Sequence, residues 1–524
     1  MHPDLAVTAP DSDTREVGTS VRRRIAISAG GVAVLLGAMD AYVVVSLLRP
    51  IIDDFQIPIN TLERATAILT SYLLGYVAGM PLLSRVSDRY GRRLVLYLGL
   101  IGFIAGSAVS ASAGGEATLV VGRAIQGVAG GALLPVTMAL AADLFAGDKR
   151  TTVLGVVGGA QELGSVIGPL YGIGLAAYIG WRGIFWINIP LAAIVIVIVH
   201  FSLPSGAGEL DGRERPKVDV TGGLLIALAL AAAVVGLDNQ NPDRSFLPSY
   251  GLPLLILAGV LLVAFIVWEV VARTKLLDLS QVRKRVFFSS ILVNLLAGGA
   301  LMITLVFVEL SGQYVLNKTA GQATLLLSRF LIALPIGAII GGYVARAIGD
   351  RAMAMIGMLI AAGGYVLVAR WPLHVLSASY HLGPVHLPVL DTSLAITGLG
   401  LGLTIAPLSS AVLRVSPATA HGIASAALVV ARMVGMLLGV AGATAWGLYR
   451  FHVLTRHLQI PLGIFNNQAA QDAYENAQIA AYHKEYVSIF LVTAAGCVLA
   501  ALIALGLGRR PADDESATEA SAAY

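Results

Sequence analysis

Charge is scarce in this chain. Only 13% of its 524 residues are Asp, Glu, Lys or Arg, while 57% are hydrophobic; a soluble domain carries about a quarter charged residues. Cysteine is almost absent. The single Cys497 excludes an intrachain disulfide and a cysteine-built metal centre, and no other metal or cofactor signature is present. No stretch reads Gly-x4-Gly-Lys-Ser/Thr or Gly-x-Ser-x-Gly, so an ATP-driven pump and a serine lipase find no support. The net charge of +4 is small and scattered, with no basic patch for nucleic acid. A cleavable leader is not expected either. Residues 1–20 are polar and partly acidic, and Arg22, Arg23 and Arg24 precede an apolar run too long for a signal-peptide core.

What the chain has in abundance is long apolar runs. A helix needs about 20 apolar residues to cross the hydrocarbon core. Fourteen segments meet that need: 25–48, 65–83, 94–112, 118–141, 152–179, 184–203, 220–237, 250–271, 287–314, 322–345, 352–370, 392–413, 419–446 and 486–508. The expected class is an all-α membrane protein. With the N-terminus placed inside, inner segments hold 23 of the 35 Lys and Arg and outer segments hold 9. That bias orients the chain with both termini cytoplasmic. The expected organisation is a tail 1–24, a six-helix bundle 25–203, a linker 204–286 with two extra helices, a second six-helix bundle 287–508, and a tail 509–524. Insertions at 371–391 and 447–485 fall outside. The first has Gly383-Pro384 near its middle and reads as a short β-hairpin. In the second, helix formers flank a turn at Ile460-Pro461-Leu462-Gly463, so both adjoining helices are expected to continue past the membrane.

An internal repeat supports two halves. Ser84-Arg-Val-Ser-Asp88-Arg-Tyr-Gly91-Arg92-Arg93 follows the second segment. Gly342-Tyr-Val-Ala-Arg346-Ala-Ile-Gly349-Asp350-Arg351 follows the tenth. Gly91 aligns with Gly349, and Arg93 with Arg351. Two six-helix halves with a pair inserted between them is a transporter plan.

Four further patterns carry chemistry. Leu119-x3-Arg123-x2-Gln126-Gly127 puts an arginine in an apolar helix, either near enough to the interface to snorkel or placed for function. Gly164-x3-Gly168-Pro169-x2-Gly172 spaces glycines for close helix packing and adds a bend. Met39-Asp40-Ala-Tyr42-Val-Val puts a carboxylate in the first segment. Gly422, Ala424, Ser425, Arg432, Gly435 and Gly439 form a matching pattern in the thirteenth.

Together these motifs resemble the fourteen-span drug:proton antiporter branch of the major facilitator superfamily, from about residue 30 to 508. Departures are Ser84 for the first loop glycine, Ile173 for the last antiporter-motif glycine, Tyr42 for Thr and Val45 for Asn. The resemblance implies the major facilitator fold: two six-helix bundles plus two linker helices. It also implies transport rather than catalysis, in a monomer. Asp88, Gly91, Arg92 and Arg93 would form a cytoplasmic gate latch, and Gly164, Gly168, Pro169 and Gly172 the antiporter motif. Arg123 would serve proton movement. Within the branch the chain looks most like the mycobacterial members that export triacylglycerides to the periplasm with a lipid-binding lipoprotein; the alternative is export of small hydrophobic drugs. Protons would drive either.

Asp40, Glu162, Arg329 and Arg432 are read as charges well inside helices, and with Arg123 as a charge network. A lone charge at mid-membrane costs about 2.5–3.5 kcal/mol on insertion scales. Opposite signs therefore make pairing the natural outcome. The inserted pair 220–271 has its charges at its ends and is expected to be peripheral. His386-x4-Asp391 has the spacing of an acyltransferase pair, but it falls in an outer loop and carries no catalytic expectation.

Overall fold

The computed structural model describes residues 12–57, 62–145, 147–203, 219–239, 245–272, 282–382, 385–416, 421–458 and 468–508. The linker 204–218, the turn at 460–463, the Gly383-Pro384 pair, the tail from 509 and most of the loop 272–286 lie outside these residues.

Thirteen helices among the described residues are long and apolar enough to cross a membrane. In the first half these are α1 (Ser12–Asp54), α2 (Leu62–Tyr90), α3 (Arg92–Ala111), α4 (Glu116–Leu144) and α5 (Gly147–Ser202). The inserted pair is α6 (Val220–Leu237) and α7 (Gly251–Val271). The second half holds α8 (Lys284–Tyr314), α9 (Ala320–Ile348), α10 (Asp350–Ala369), α11 (Val389–Val415), α12 (His421–Thr455) and α13 (Gln468–Ala504). The chain is a multi-pass membrane protein.

The apparent shortfall of one helix has a local cause. Gly180 breaks the 56-residue α5 with φ 69° and ψ 170°, a conformation open essentially to glycine alone. The chain doubles back there. Gly168 on the first arm packs against the Met39 carbonyl, and Asn188 on the second arm bonds the Asp40 carboxylate. A straight helix would set those residues about 30 Å apart at 1.5 Å per residue. The thirteen helices therefore make fourteen crossings.

Helices α1–α5 pack on one another, as do α8–α13. Small residues bring backbones together in both sets. A Cβ on Gly164 would stand 2.5 Å from the Ala38 Cβ of α1, and one on Gly435 1.8 Å from the Leu295 oxygen of α8. The α5–α1 contact of the first half thus has an α12–α8 counterpart in the second. Pair α6–α7 sits outside. Val263 and Val270 on α7 are 60% and 71% exposed, as expected of a helix facing lipid. Helix α6 is more engaged: Ala229 is buried and Gly223 packs on Leu82 of α2.

The repeat is visible in backbone geometry. Gly91 (φ 96°, ψ 146°) precedes α3, and Gly349 (φ 86°, ψ 154°) precedes α10 in the same conformation. The end of the bundle opposite these loops, the far end, carries the two insertions. There β1 (Ser379–Leu382) pairs antiparallel with β2 (Val385–Pro388) in a hairpin. Helix α12 runs on to Thr455 and α13 starts at Gln468. Phe451 and Tyr482 stack at 4.3 Å between them, and Tyr482 stacks on Tyr314 of α8 at 5.7 Å.

Candidate functional site: two ion-pair nodes

Asp40 on α1 and Arg123 on α4 are both buried and form an ion pair. Arg123 is therefore not an interfacial residue reaching for water. Its Nη2 donates to the Asp40 carbonyl at 3.0 Å and its Nη1 to Oε1 of Gln126 at 3.1 Å. The guanidinium stands 4.1 Å from the centre of the Tyr72 ring, a cation–π contact. Asn188 donates to Asp40 Oδ1 at 2.7 Å, and Gln126 donates to Ser107 at 2.8 Å. Partners from two helices, α4 and the second arm of α5, thus satisfy one buried carboxylate on α1. A buried pair of this kind gains little over an apolar pair but punishes loss of either partner.

Glu162 and Arg432 form the second node. Glu162 lies on α5 and Arg432 on α12, so their ion pair joins the two halves. Asn294 of α8 accepts from Arg432 at 3.4 Å and donates to the Leu428 carbonyl at 2.5 Å. Between the nodes sits buried Tyr42, whose hydroxyl meets Met436 Sδ of α12 at 3.4 Å. Thr66 of α2 meets Thr444 of α12 at 3.4 Å, and Arg49 of α1 lies 4.9 Å over the Tyr314 ring of α8. These cross-half contacts lie in the middle and at the far end.

Arg329 is not part of this arrangement. It is 42% exposed at its side chain and bonds Asp391 of α11 at 2.9 Å, near the far end. The expectation of a mid-helix charge fails because α9 begins at Ala320 and presents this position towards the start of α11. The same pair occupies Asp391, so it does not serve His386. His386 instead faces its cross-strand partner His381, with Nδ1 atoms 2.6 Å apart.

At the loop end Arg92 bonds Asp88, Ser87 Oγ at 2.7 Å and Asp143 of α4 at 3.2 Å. Arg93 donates to Tyr97 at 3.0 Å and to the His200 carbonyl of α5 at 3.2 Å. In the second half Asp350 bonds Arg414 of α11 at 2.6 Å and Ser410 at 3.2 Å. The same inter-helix latch occurs twice with its charges exchanged. Gly164, Gly168 and Gly172 all face α1, and a Cβ on Gly172 would stand 2.4 Å from Ser46 Oγ. With Pro169 inside the same arm, the motif seats α5 on the stretch that carries Asp40.

The sequence reading left several partners unassigned. Gln126 stands inside a motif already quoted, and its amide there is its signal; Asn188 has only its amide in the apolar run 184–203. Asn294 has only its amide in an apolar run. Glu309, buried within α8, is a further carboxylate in the segment 287–314, and its charge in an apolar run is its signal.

The Major Facilitator Superfamily model matches residues 30–440. The chain belongs to that superfamily. It is 53% identical over 507 residues to a triacylglyceride transporter of Mycolicibacterium hassiacum, covering 94% of each chain. It is 52% identical over 505 residues to the triacylglyceride transporter of Mycobacterium tuberculosis H37Rv, covering 94% of this chain and 96% of that one. Among solved structures, a bacterial homologue of the human lysosomal transporter Spinster, inward-facing and unoccupied, superposes with a TM-score of 0.59. At 15% identity over 94% of this chain and 99% of that one, it shares the fold. The superfamily frame gives the two nodes a place, one inside the first half and one bridging to the second.

Proposed function

We propose that this superfamily member exports triacylglycerides by alternating access, driven by the proton gradient, from the inner membrane toward the periplasm. The observation that carries the substrate is identity above half, along nearly the whole of both chains, with proteins named triacylglyceride transporters. The loop end would face the cytoplasm, and a periplasmic lipid-binding lipoprotein would receive the lipid at the far end. In this reading Asp40, Arg123, Glu162 and Arg432 form the proton-coupling relay. The Glu162–Arg432 pair must break and re-form as the halves rock, because it is made across them.

A slot of about 210 Å³ between α2, α6 and α12 supports a lipid substrate. It is walled by Leu74, Val234 and Leu448 and carries the hydroxyls of Thr66, Thr70, Ser71 and Thr444. Thr70 and Ser71 donate to the Ala67 and Ile68 carbonyls, and Thr66 and Thr444 meet each other; with its hydroxyls so engaged, the slot offers a lipid chain apolar walls. Asp238 stands at the slot's rim, its carboxyl raised above the usual range by burial and by Glu116.

Reconstituted vesicles holding labelled triacylglycerol test the proposal. Movement should require an imposed proton gradient and leave the lipid chemically intact. Gradient-driven movement of small hydrophobic drugs without triacylglycerol movement would replace this reading by drug efflux.

A further inference from the structure

Glu309 lies near the far end of α8 and is 2% exposed. The Thr324 hydroxyl of α9 shares its one proton between Oε1, at 3.1 Å, and the Ala320 carbonyl, at 3.0 Å, and the Gln313 amide, one turn on, donates to the same Oε1 at 3.3 Å. Its Oε2 has no partner, and neither has the amide oxygen of Gln313. One turn of helix therefore buries two orphan acceptors, one of them on the carboxyl itself. The nearby charged groups are engaged elsewhere. Arg49 of α1 bonds Asp53 and covers Tyr314, and Arg329 of α9 bonds Asp391 of α11. Glu485 of α13 faces Gly447 of α12 and acts on Tyr482 and Tyr486. Among the described residues nothing cationic compensates Glu309, and an isolated buried carboxylate is too costly to persist charged. A proton on Oε2 removes the charge and turns one orphan acceptor into a donor in one step.

The position gives that proton a consequence. Helices α8 and α9 touch closely here, since a Cβ on Gly312 would stand 2.9 Å from the Ala323 Cβ. Tyr314, in the next turn, makes the contact to Arg49 that joins the halves at the far end. We propose that Glu309 is a proton-binding site that controls closure of the far end. With the proton bound, α8 and α9 close around the carboxyl and Tyr314 meets Arg49. Without it the carboxylate demands water, α8 parts from α9, and the far end opens. This rests on the alternating-access reading and deepens it, by naming where a proton binds on the far side, distinct from Asp40.

The test needs no substrate. Spin labels on Gly114→Cys, at the far end of the first half, and Lys318→Cys, between α8 and α9, report far-end separation in the full chain. The buried native cysteine is replaced by Cys497→Ala. The short distance should dominate at low pH and give way to a longer one as pH rises. Glu309→Gln, which keeps an acceptor for Thr324 and cannot ionise, should hold the short distance across the whole range. Thr324→Val removes a donor to the carboxylate and should move the opening midpoint to higher pH. A pH response that survives Glu309→Gln, or none in the parent, overturns the proposal. If Glu309→Gln does not fold, an unmoved midpoint in Thr324→Val overturns it alone. Because lipid movement is not read, failure here leaves the triacylglyceride assay to stand or fall separately.

Discussion

A buried ion pair separates a residue's part in folding from its part in transport. Asp40→Asn leaves Arg123 buried beside a neutral group, and breaking such a pair costs about 3–5 kcal/mol. The thermal midpoint of the single variant should therefore drop. Asp40→Asn with Arg123→Gln removes both charges while keeping hydrogen-bonding groups, and should recover most of that loss. Neither variant should transport, because neither holds an exchangeable carboxyl at this site. A double variant that moves lipid at the normal rate would remove Asp40 from coupling. Arg329→Ala, by contrast, breaks a half-exposed pair worth about 0–1 kcal/mol, and should leave both midpoint and transport unchanged. At this scale the sequence shows which residues place a charge in an apolar run better than whom those residues meet. A charge in an apolar run is visible in one dimension. Asp40 and Arg123, 83 positions apart, meet only when α1 and α4 pack, and Arg329 changes meaning once α11 is placed beside it.

Glycines of like appearance on one helix have unlike jobs. Gly435 of α12 approaches the α8 backbone so closely that a Cβ would overlap the Leu295 oxygen, whereas a Cβ on Gly442 would meet nothing within 4 Å. Gly442 instead lines an apolar cleft of about 320 Å³ between α8, α12 and α13. Gly435→Ala should thus destabilise by about 1–3 kcal/mol, the range for overpacking, and Gly442→Ala should not. Thermal unfolding of the two purified variants measures the difference, and equal losses would show that the α8–α12 contact yields freely. Glycine spacing in the sequence points to close packing without saying against what, and open space is invisible to it. Element lengths were readable where apolar length sets them and less so where helices outrun the membrane. Helix α2 continues to Tyr90, past the expected 83, because Ser87 to Tyr90 keep helical bonds until Gly91 turns the chain. The reversal inside α5 was readable as two apolar runs, although the single residue that makes it, Gly180, carried no signal of its own.

The whole molecule repeats one latch with inverted polarity, and helix dipoles make the two copies unequal. Asp350 starts α10 and Arg414 closes α11, so both charges agree with the dipoles of their helices. Arg92 starts α3 and Asp143 closes α4, so both oppose them. The acidic partner of the second half is 1% exposed and that of the first 43%. Asp350→Asn should then lower stability by about 3–5 kcal/mol and Asp143→Asn by about 0–1 kcal/mol, read as thermal midpoints. The reverse order would make the second-half latch the labile one. At the other end the helical extensions are held by ring stacking rather than by apolar length. Phe451 and Tyr482 stack at 4.3 Å, so the chain ends on either side of residues 452–480 stand side by side, and Tyr314 anchors that stack to α8. Replacing 452–480 by a tight turn removes the outlying part of both helices and keeps all three rings. The shortened protein should insert, fold and keep its thermal midpoint. It should fail to export lipid if the extensions carry the substrate from the bundle to its acceptor. Export at the normal rate by this well-folded protein would confine transport to the membrane-spanning helices.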